Sequence, residues 1–121
     1  MDNISNLQKW AKERGIDKLP PSPNDYIANI VEELGEFREA HKIGDIHGMI
    51  DAIADIVVFS VTEMPKFGYD SNLVMLEVYK EINSRVGAYD PELGKWKKDT
   101  SPDAVSNWYK AKFEECLIKE D

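Results

Sequence analysis

The strongest constraint on the fold is the segment IHGMIDAIADIVVFSVT at residues 46–62, which is apolar on nearly every side when drawn as a helix. It contains neither Lys nor Arg, and its only acidic residues are Asp51 and Asp55. A helix of this kind is predicted to lie buried within a bundle rather than on its surface. Two carboxylates four residues apart share one helix face, so they repel each other there and require a compensating charge.

Helical periodicity also dominates the remaining sequence, and no alternating stretch is long enough to predict a sheet. Capping residues and helix breakers predict five helices, at about residues 3–14, 22–42, 45–63, 70–86 and 101–119. Gly44 allows only a very short turn between the second and third helices, which must therefore lie antiparallel and in contact. The predicted fold class is all-α, a four- to five-helix bundle built around this central antiparallel hairpin.

The length of 121 residues fits one domain, because chains usually divide only above roughly 200 residues. Within this single predicted domain, residues 1–121, the most informative motifs occupy about residues 22–86. A basic loop is predicted over residues 87–100, followed by the C-terminal helix over 101–119.

The predicted loop has the sequence GAYDPELGKWKKDT, which is rich in turn-forming residues and basic at Lys95, Lys97 and Lys98. A stretch of this length without secondary structure in a small domain is more typical of a binding loop or lid than of a spacer. Lys95 and Lys98 are therefore candidates for contacting an anionic ligand.

Fifteen Lys and Arg residues against 23 Asp and Glu residues give a net charge of −8, which argues against binding of a nucleic acid polymer. The single cysteine, Cys116, cannot form an intramolecular disulfide and is typical of a reducing compartment. The sequence lacks both a leader pattern and a run of 18 uncharged apolar residues. We expect a cytoplasmic protein that makes no contact with a membrane.

Acidic residues of the second predicted helix are placed to meet those of the third. At 100° per residue, Glu33 lies at the edge of the apolar stripe, while Glu36 and Glu32 turn progressively towards solvent. Across the antiparallel hairpin, Glu33 and Glu36 can face Asp51 and Asp55. Such a cluster is protonated, neutralised by basic side chains or bound to cations. The third helix supplies no Lys or Arg, which leaves His41, His47 or another helix as sources of a neutralising charge and otherwise favours cations. Ligation by oxygen alone suits Mg²⁺ or Mn²⁺.

The two acidic motifs also carry a family resemblance. EELGE at residues 32–36, followed by DAIADI at residues 51–56, resembles the MazG-like, all-α nucleoside triphosphate pyrophosphohydrolases, whose signature is Glu-x-x-Glu on one helix and acid-x-x-Asp on the next. NSR at residues 83–85 is similar to the Asn-x-Ser-Lys/Arg stretch of short phage-type members. The sequence departs from the family at Ala52, where Glu is usual and the nearest acid, Asp51, lies one residue earlier.

The resemblance implies hydrolysis of a nucleoside triphosphate between its α and β phosphates, which gives the monophosphate and pyrophosphate. It implies Mg²⁺ or Mn²⁺ as the cofactor, and the candidate metal ligands are Glu33, Glu36, Asp51 and Asp55. Glu32, beside these ligands, is the candidate for orienting or deprotonating the attacking water.

The remaining candidate residues would contact substrate. The resemblance implies that Asn83 and Arg85 bind the sugar or a phosphate, and Lys95 and Lys98 are candidates for binding the outgoing pyrophosphate. A purine deoxynucleotide such as dGTP is the expected substrate, with dUTP, dCTP or phosphoribosyl-ATP as alternatives. The non-enzymatic alternative is a helical interaction module whose acids are paired with Arg or Lys from another helix or subunit.

The sequence also predicts self-association. A helical bundle this short leaves apolar flanks that a second copy can cover, and members of the resembled family are typically homodimers or dimers of dimers. We therefore expect a homo-oligomer with its sites near the subunit interface, located in the host cytoplasm if the protein is phage-encoded.

Overall fold

The computed structural model describes residues 2–119 and confirms a mainly helical protein. The described part of the chain contains five α-helices: α1 (Asn3–Glu13), α2 (Pro23–Lys42), α3 (Ile46–Glu63), α4 (Ser71–Asn83) and α5 (Pro102–Ser106). It also contains short 3₁₀ helices at Ile16–Lys18, Met64–Phe67 and Phe113–Cys116, and two strands, β1 (Gly87–Asp90) and β2 (Lys95–Lys98). Over the same residues, none of the helices combines the length and apolar character required to cross a bilayer.

The chain divides into two compact units. The first contains residues 2–72 together with 118–119, and the second contains residues 73–117. The boundary falls within the first turn of α4. The first unit carries the acidic motifs, and the second carries the predicted basic loop.

The α2–α3 hairpin forms as the sequence predicts. Gly44 takes a left-handed conformation with φ of 72° and reverses the chain. The Asp45 carboxylate then caps α3 by accepting a hydrogen bond of 2.9 Å from the Gly48 amide. Gly48 makes this cap possible, because a Cβ at that position would lie 2.6 Å from Asp45 Oδ2.

The open end of the hairpin is closed by polar contacts between the two helices. The Ser22 amide donates to Glu63 Oε2 at 3.0 Å, and the hydroxyls of Tyr26 and Ser60 are hydrogen-bonded at 2.8 Å. The Ser22 side chain does not cap α2, since its hydroxyl donates instead to the carbonyl of Pro20. These contacts fix the register in which α2 and α3 run past each other.

In the folded chain, α3 is less buried than the sequence prediction of a helix inside a bundle requires. Ala52 and Val61 are its buried residues, at 1% and 2% exposure. α1 and α2 contact α3, but a third side of the helix remains open. The exposed aliphatic residues of that side are Ile46, Ile50, Ile53 and Val57.

In the second unit, the predicted basic loop is instead a β-hairpin. β1 and β2 pair antiparallel, with Tyr89 opposite Trp96 and Gly87 opposite Lys98. The tight turn between the strands depends on Asp90, whose carboxylate accepts hydrogen bonds from the amides of Glu92 and Leu93. It also depends on Gly94, which has a φ of 66°. Each strand has only four residues, so the alternation is too short to be recognised in the sequence.

The predicted C-terminal helix over residues 101–119 is also wrong, because α5 ends at Ser106. α4 ends at Asn83 rather than near residue 86. Beyond α5, backbone amides donate to side chains of α4 instead of to the backbone carbonyls four residues earlier, as they would in a helix. Ala111 donates to Glu81 and Lys112 donates to Glu77. These side-chain acceptors replace the hydrogen bonds that a C-terminal helix would have made.

Candidate metal centre

Three carboxylates of the first unit converge at the interface between α2 and α3. Glu33 and Glu36 project from α2 and Asp55 projects from α3, and one oxygen of each lies within 4.8 Å of the others. Glu33 and Glu36 are nearly one helical turn apart, so both reach the same point on the antiparallel partner. This is the arrangement expected from the spacing of the two acidic motifs.

Glu33 is the buried member of this group. Glu33 is only 8% exposed, and its Oε2 atom has no hydrogen-bond partner among the described residues. Burial, the hydrogen bond to Glu36 and the negative charges of Glu36 and Asp55 together raise the pKa of Glu33 to about 7, and burial is the largest of these causes. The charged form of Glu33 is therefore disfavoured unless a positive charge is present.

Basic side chains do not supply that charge within the described residues. The ion pairs of residues 2–119 involve other acids, such as Glu63 with Lys66 at 3.1 Å. Arg38 lines the adjoining groove but does not come within ion-pair distance of the three clustered acids. Among residues 2–119, therefore, Arg or Lys from another helix of the same chain does not pair with the three clustered acids.

The cluster adjoins an open groove of about 820 Å³ that is lined by more acids. Glu32, Glu36 and Asp51 all border this groove, and each is solvent-exposed. Asp51 does not belong to the compact three-residue group. Glu32 and Asp51 are thus placed beside the cluster, where each carboxylate can contact a ligand or a water molecule held in the groove.

The carboxyl oxygens of this site form a hard, anionic donor set that fits Mg²⁺ or Mn²⁺.

No protein-family model, curated protein sequence or solved structure matches this chain. The case for a metal centre consequently rests on the burial, spacing and charge of these side chains.

The four predicted substrate-binding residues belong to the second unit. Asn83 is the last residue of α4, and Lys95 is the first residue of β2. The structure brings the other two together, because the Arg85 guanidinium and the Lys98 ammonium lie 5.3 and 5.5 Å from the centre of the Trp108 ring. Both contacts are within the range of cation–π attraction.

Trp108 contacts Arg85 and Lys98, and the spacing of residues in the sequence does not predict this contact. It follows α5 and lies far along the chain from Arg85, so only the folded second unit makes them neighbours. Its indole Nε1 and the Nε of Arg85 are buried and have no hydrogen-bond partner in the part of the chain that the structure describes. The arrangement concentrates donors and positive charge at one place in an acidic protein.

Proposed function

We propose that this protein hydrolyses a nucleoside triphosphate to the monophosphate and pyrophosphate in a reaction that depends on Mg²⁺ or Mn²⁺. The observation that carries the proposal is the buried Glu33 carboxylate, which lies beside Glu36 and Asp55 and which, among residues 2–119, has one unpartnered oxygen and no basic partner. A divalent cation relieves the repulsion in such a group. The resemblance of residues 32–36 and 51–56 to the MazG-like motifs supports the choice of substrate class.

Each acid of the site has a separate task in this proposal. Glu33, Glu36 and Asp55 would hold the cation, and Asp51 extends the anionic surface along the groove. A bound Mg²⁺ supplies neutralisation of the triphosphate and polarisation of its α-phosphorus. Because the cation reverses the local field, an acidic protein is able to hold an anionic substrate.

Glu32 is proposed as the general base. It is exposed in the groove next to Glu36, so a water molecule there is accessible to its carboxylate. The water oxygen forms a bond to the α-phosphorus as the bond to the bridging oxygen breaks. Pyrophosphate leaves with that electron pair, and the proton of the water passes to Glu32.

The substrate class is tested by product analysis. The protein is incubated with Mg²⁺ and dGTP, dATP, dUTP, dCTP or phosphoribosyl-ATP, and the products are resolved by ion exchange. We expect a monophosphate and pyrophosphate, with dGTP turned over fastest, and no products when the divalent cation is chelated. Formation of a diphosphate and orthophosphate, or equal turnover after chelation, would contradict the proposal.

A further inference from the structure

The β-hairpin of the second unit carries aromatic side chains to which the proposed hydrolysis gives no task. β1 and β2 pair with Tyr89 opposite Trp96 and with Gly87 opposite Lys98. Residues directly opposite each other project from the same face of a hairpin, and successive residues of a strand project from opposite faces. We call the face formed by Gly87, Tyr89, Trp96 and Lys98 the aromatic face.

Both rings of the aromatic face are open to solvent. Tyr89 is 64% exposed and Trp96 is 51% exposed, although Trp is highly buried on average in folded proteins. A two-stranded hairpin in water is only marginally stable by itself, so exposed rings on it are costly. Packing within the described part of the chain therefore does not account for these two side chains.

Gly87 determines how the Trp96 ring lies on the hairpin. A Cβ at Gly87 would lie 2.5 Å from Cζ2 of Trp96, so the indole occupies the space that a side chain would fill. The ring is thus supported by β1, while half of its surface remains exposed. An aromatic ring that is held against a strand and open on its outer side can stack on a second planar group.

Positive charge without a counter-charge adjoins these rings. Among residues 2–119, Lys95, Lys97 and Lys98 form no ion pair. Lys98 belongs to the aromatic face, and its ammonium lies 5.5 Å from the centre of the Trp108 ring, where the Arg85 guanidinium lies at 5.3 Å. The open end of the hairpin therefore favours an anionic group.

The acids nearest to this end in the sequence are already engaged. The Asp99 carboxylate accepts a hydrogen bond of 2.9 Å from the Ser101 amide, and Asp99 follows Lys98, which directs it to the other face. Glu81 reaches Arg85 only at 3.9 Å. These acids leave the Lys98 charge uncompensated.

The two units also differ in charge. Residues 73–117 contain seven Lys or Arg residues and eight Asp or Glu residues, so the second unit carries a net charge of −1, compared with −8 for the whole chain. The repulsion of phosphate by an acidic composition arises mainly in the first unit. The aromatic face belongs to the nearly neutral unit.

We propose that the aromatic face binds single-stranded nucleic acid, with one base stacked on Tyr89, one on Trp96, and a phosphate of the same strand bound by Lys98 and Arg85. Aromatic rings next to cations are the means by which proteins bind single strands without sequence preference. A protein partner packed over the hairpin would instead bury both cations without a counter-charge. The inference does not rest on the proposed hydrolysis.

Fluorescence anisotropy tests this binding with the full chain and a labelled oligonucleotide of about twelve deoxythymidylates. EDTA is present, so that neither metal binding nor turnover contributes. We expect the unlabelled single strand to compete at least about 5-fold better than dTMP, which can stack on only one ring, or than a duplex, whose base faces are covered. Absence of binding, or equal competition by dTMP or duplex, overturns the proposal.

Substitution of the rings tests stacking. Tyr89→Leu and Trp96→Leu keep an apolar side chain but remove the aromatic face, and each is expected to weaken binding at least about 5-fold. Trp96→Phe should restore most of the loss. The matched control is Tyr79→Leu, because Tyr79 is 61% exposed on α4 outside the hairpin. Wild-type affinity in both hairpin variants, or an equal loss in Tyr79→Leu, overturns the proposal.

Two adjacent lysines separate a bound phosphate from general attraction. Lys98 projects from the aromatic face and Lys97 from the other, yet both carry the same charge. Lys98→Ala is expected to reduce the slope of log affinity against log salt by about 0.7, and Lys97→Ala to leave that slope unchanged. Equal effects of the two substitutions overturn the assignment of the phosphate to Lys98.

A measurement on the wild-type chain covers the case in which the hairpin variants do not fold. Hydroxyl-radical footprinting is expected to show that the oligonucleotide protects Tyr89 and Trp96 from oxidation. Trp10, which is 42% exposed in the first unit, and Tyr79 are the internal controls and should be oxidised as before. Unchanged oxidation of Tyr89 and Trp96 overturns the proposal without any variant.

Discussion

Burial and charge oppose each other at Glu33. Its carboxylate is nearly inaccessible to water, lacks a partner for one oxygen and lies beside two other acids. Without a cation, the least costly arrangement keeps a proton in the cluster. The same features that destabilise the empty site increase the benefit of binding a divalent cation.

The raised pKa of Glu33 predicts how stability depends on pH in the metal-free protein. Its value is about 7 in the folded chain against 4.5 for an ordinary Glu, so the folded state holds a proton that the unfolded state releases. This contribution is fully present below pH 4.5 and is lost as pH rises through 7. We expect thermal unfolding in a chelator to show that loss in the wild type and not in Glu33→Gln. Equal pH profiles for the two proteins would mean that Glu33 is ionised when the chain is folded.

Removal of one ligand should abolish metal binding while leaving the helical fold intact. Asp55→Asn is expected to weaken Mn²⁺ binding and substrate hydrolysis by at least about 100-fold, since loss of even an outer partner of a metal ligand typically costs 10–100-fold. Its apo stability is expected to equal or exceed that of the wild type, because repulsion within the cluster decreases. Calorimetric titration and circular dichroism measure the two effects.

The matched control for this variant is Asp25→Asn, because Asp25 is an exposed acid in the first turn of α2, away from the cluster. It should bind Mn²⁺ like the wild type. Full turnover by Asp55→Asn would place the active site elsewhere in the chain.

The convergence of Glu33, Glu36 and Asp55 is predictable from sequence because helix periodicity and a short turn determine it. The position of Asp51 is not. Four residues before Asp55, it shares the same helix face but lies about 6 Å further along the axis. The structure accordingly places Asp51 in the groove rather than in the compact group. Whether a side chain reaches the cluster or lies a few ångströms away depends on how α2 and α3 are aligned along their length, and the sequence does not specify that alignment.

At the scale of secondary-structure elements, α2 and α3 could be predicted and the C-terminal segment could not. The hairpin is specified locally by Gly44 and Asp45, which lie between the two helices. The conformation after α5 depends on Glu77 and Glu81 of α4, which lie 35 and 30 residues before their amide partners. Capping rules consider only residues near each other in the sequence, so they predict a helix that continues beyond α5. In the structure, side-chain carboxylates that are distant in the sequence accept the hydrogen bonds of this backbone instead.

Glu77 is expected to make the second unit sensitive to acid. The Tyr109 hydroxyl, the Lys112 amide and the Lys80 ammonium lower the pKa of Glu77 to about 2. Because this value lies below the ordinary 4.5, the stabilisation is complete above pH 4.5 and is lost as pH falls towards 2. Unfolding followed by tryptophan fluorescence between pH 5 and pH 3 should show a smaller loss of stability in Glu77→Gln than in the wild type.

Tyr109 provides an independent check at the alkaline end. Its hydrogen bond to Glu77 raises the pKa of the Tyr109 hydroxyl to about 12, so this contribution persists below pH 10 and disappears as pH passes 12. In the Glu77→Gln variant, phenolate absorbance should develop at lower pH. Glu92→Gln, an exposed position in the β-hairpin turn, is the control and should titrate like the wild type. An unaltered titration in Glu77→Gln would show that the buried carboxylate does not govern Tyr109.

At the scale of the whole molecule, a net charge of −8 offers a second explanation for any effect of divalent cations. Ions can stabilise an acidic protein by screening its general self-repulsion, without occupying a site. A specific site differs because it stabilises only the folded state and saturates. Its contribution follows the ratio of ligand concentration to dissociation constant and reaches about 2.7 kcal/mol at a hundredfold excess.

Hydrogen exchange of the intact chain distinguishes these explanations. With Mn²⁺ at a hundredfold excess over its dissociation constant, we expect amides of α2 and α3 that exchange through unfolding of the first unit to slow by about 100-fold. NaCl at equal ionic strength should have a much smaller effect, because screening acts on exposed charges and Glu33 is buried. In Asp55→Asn, Mn²⁺ and NaCl should act alike. If NaCl slows wild-type exchange as much as Mn²⁺ does, the stabilisation arises from the overall charge of the protein, and the three clustered carboxylates do not form a metal centre.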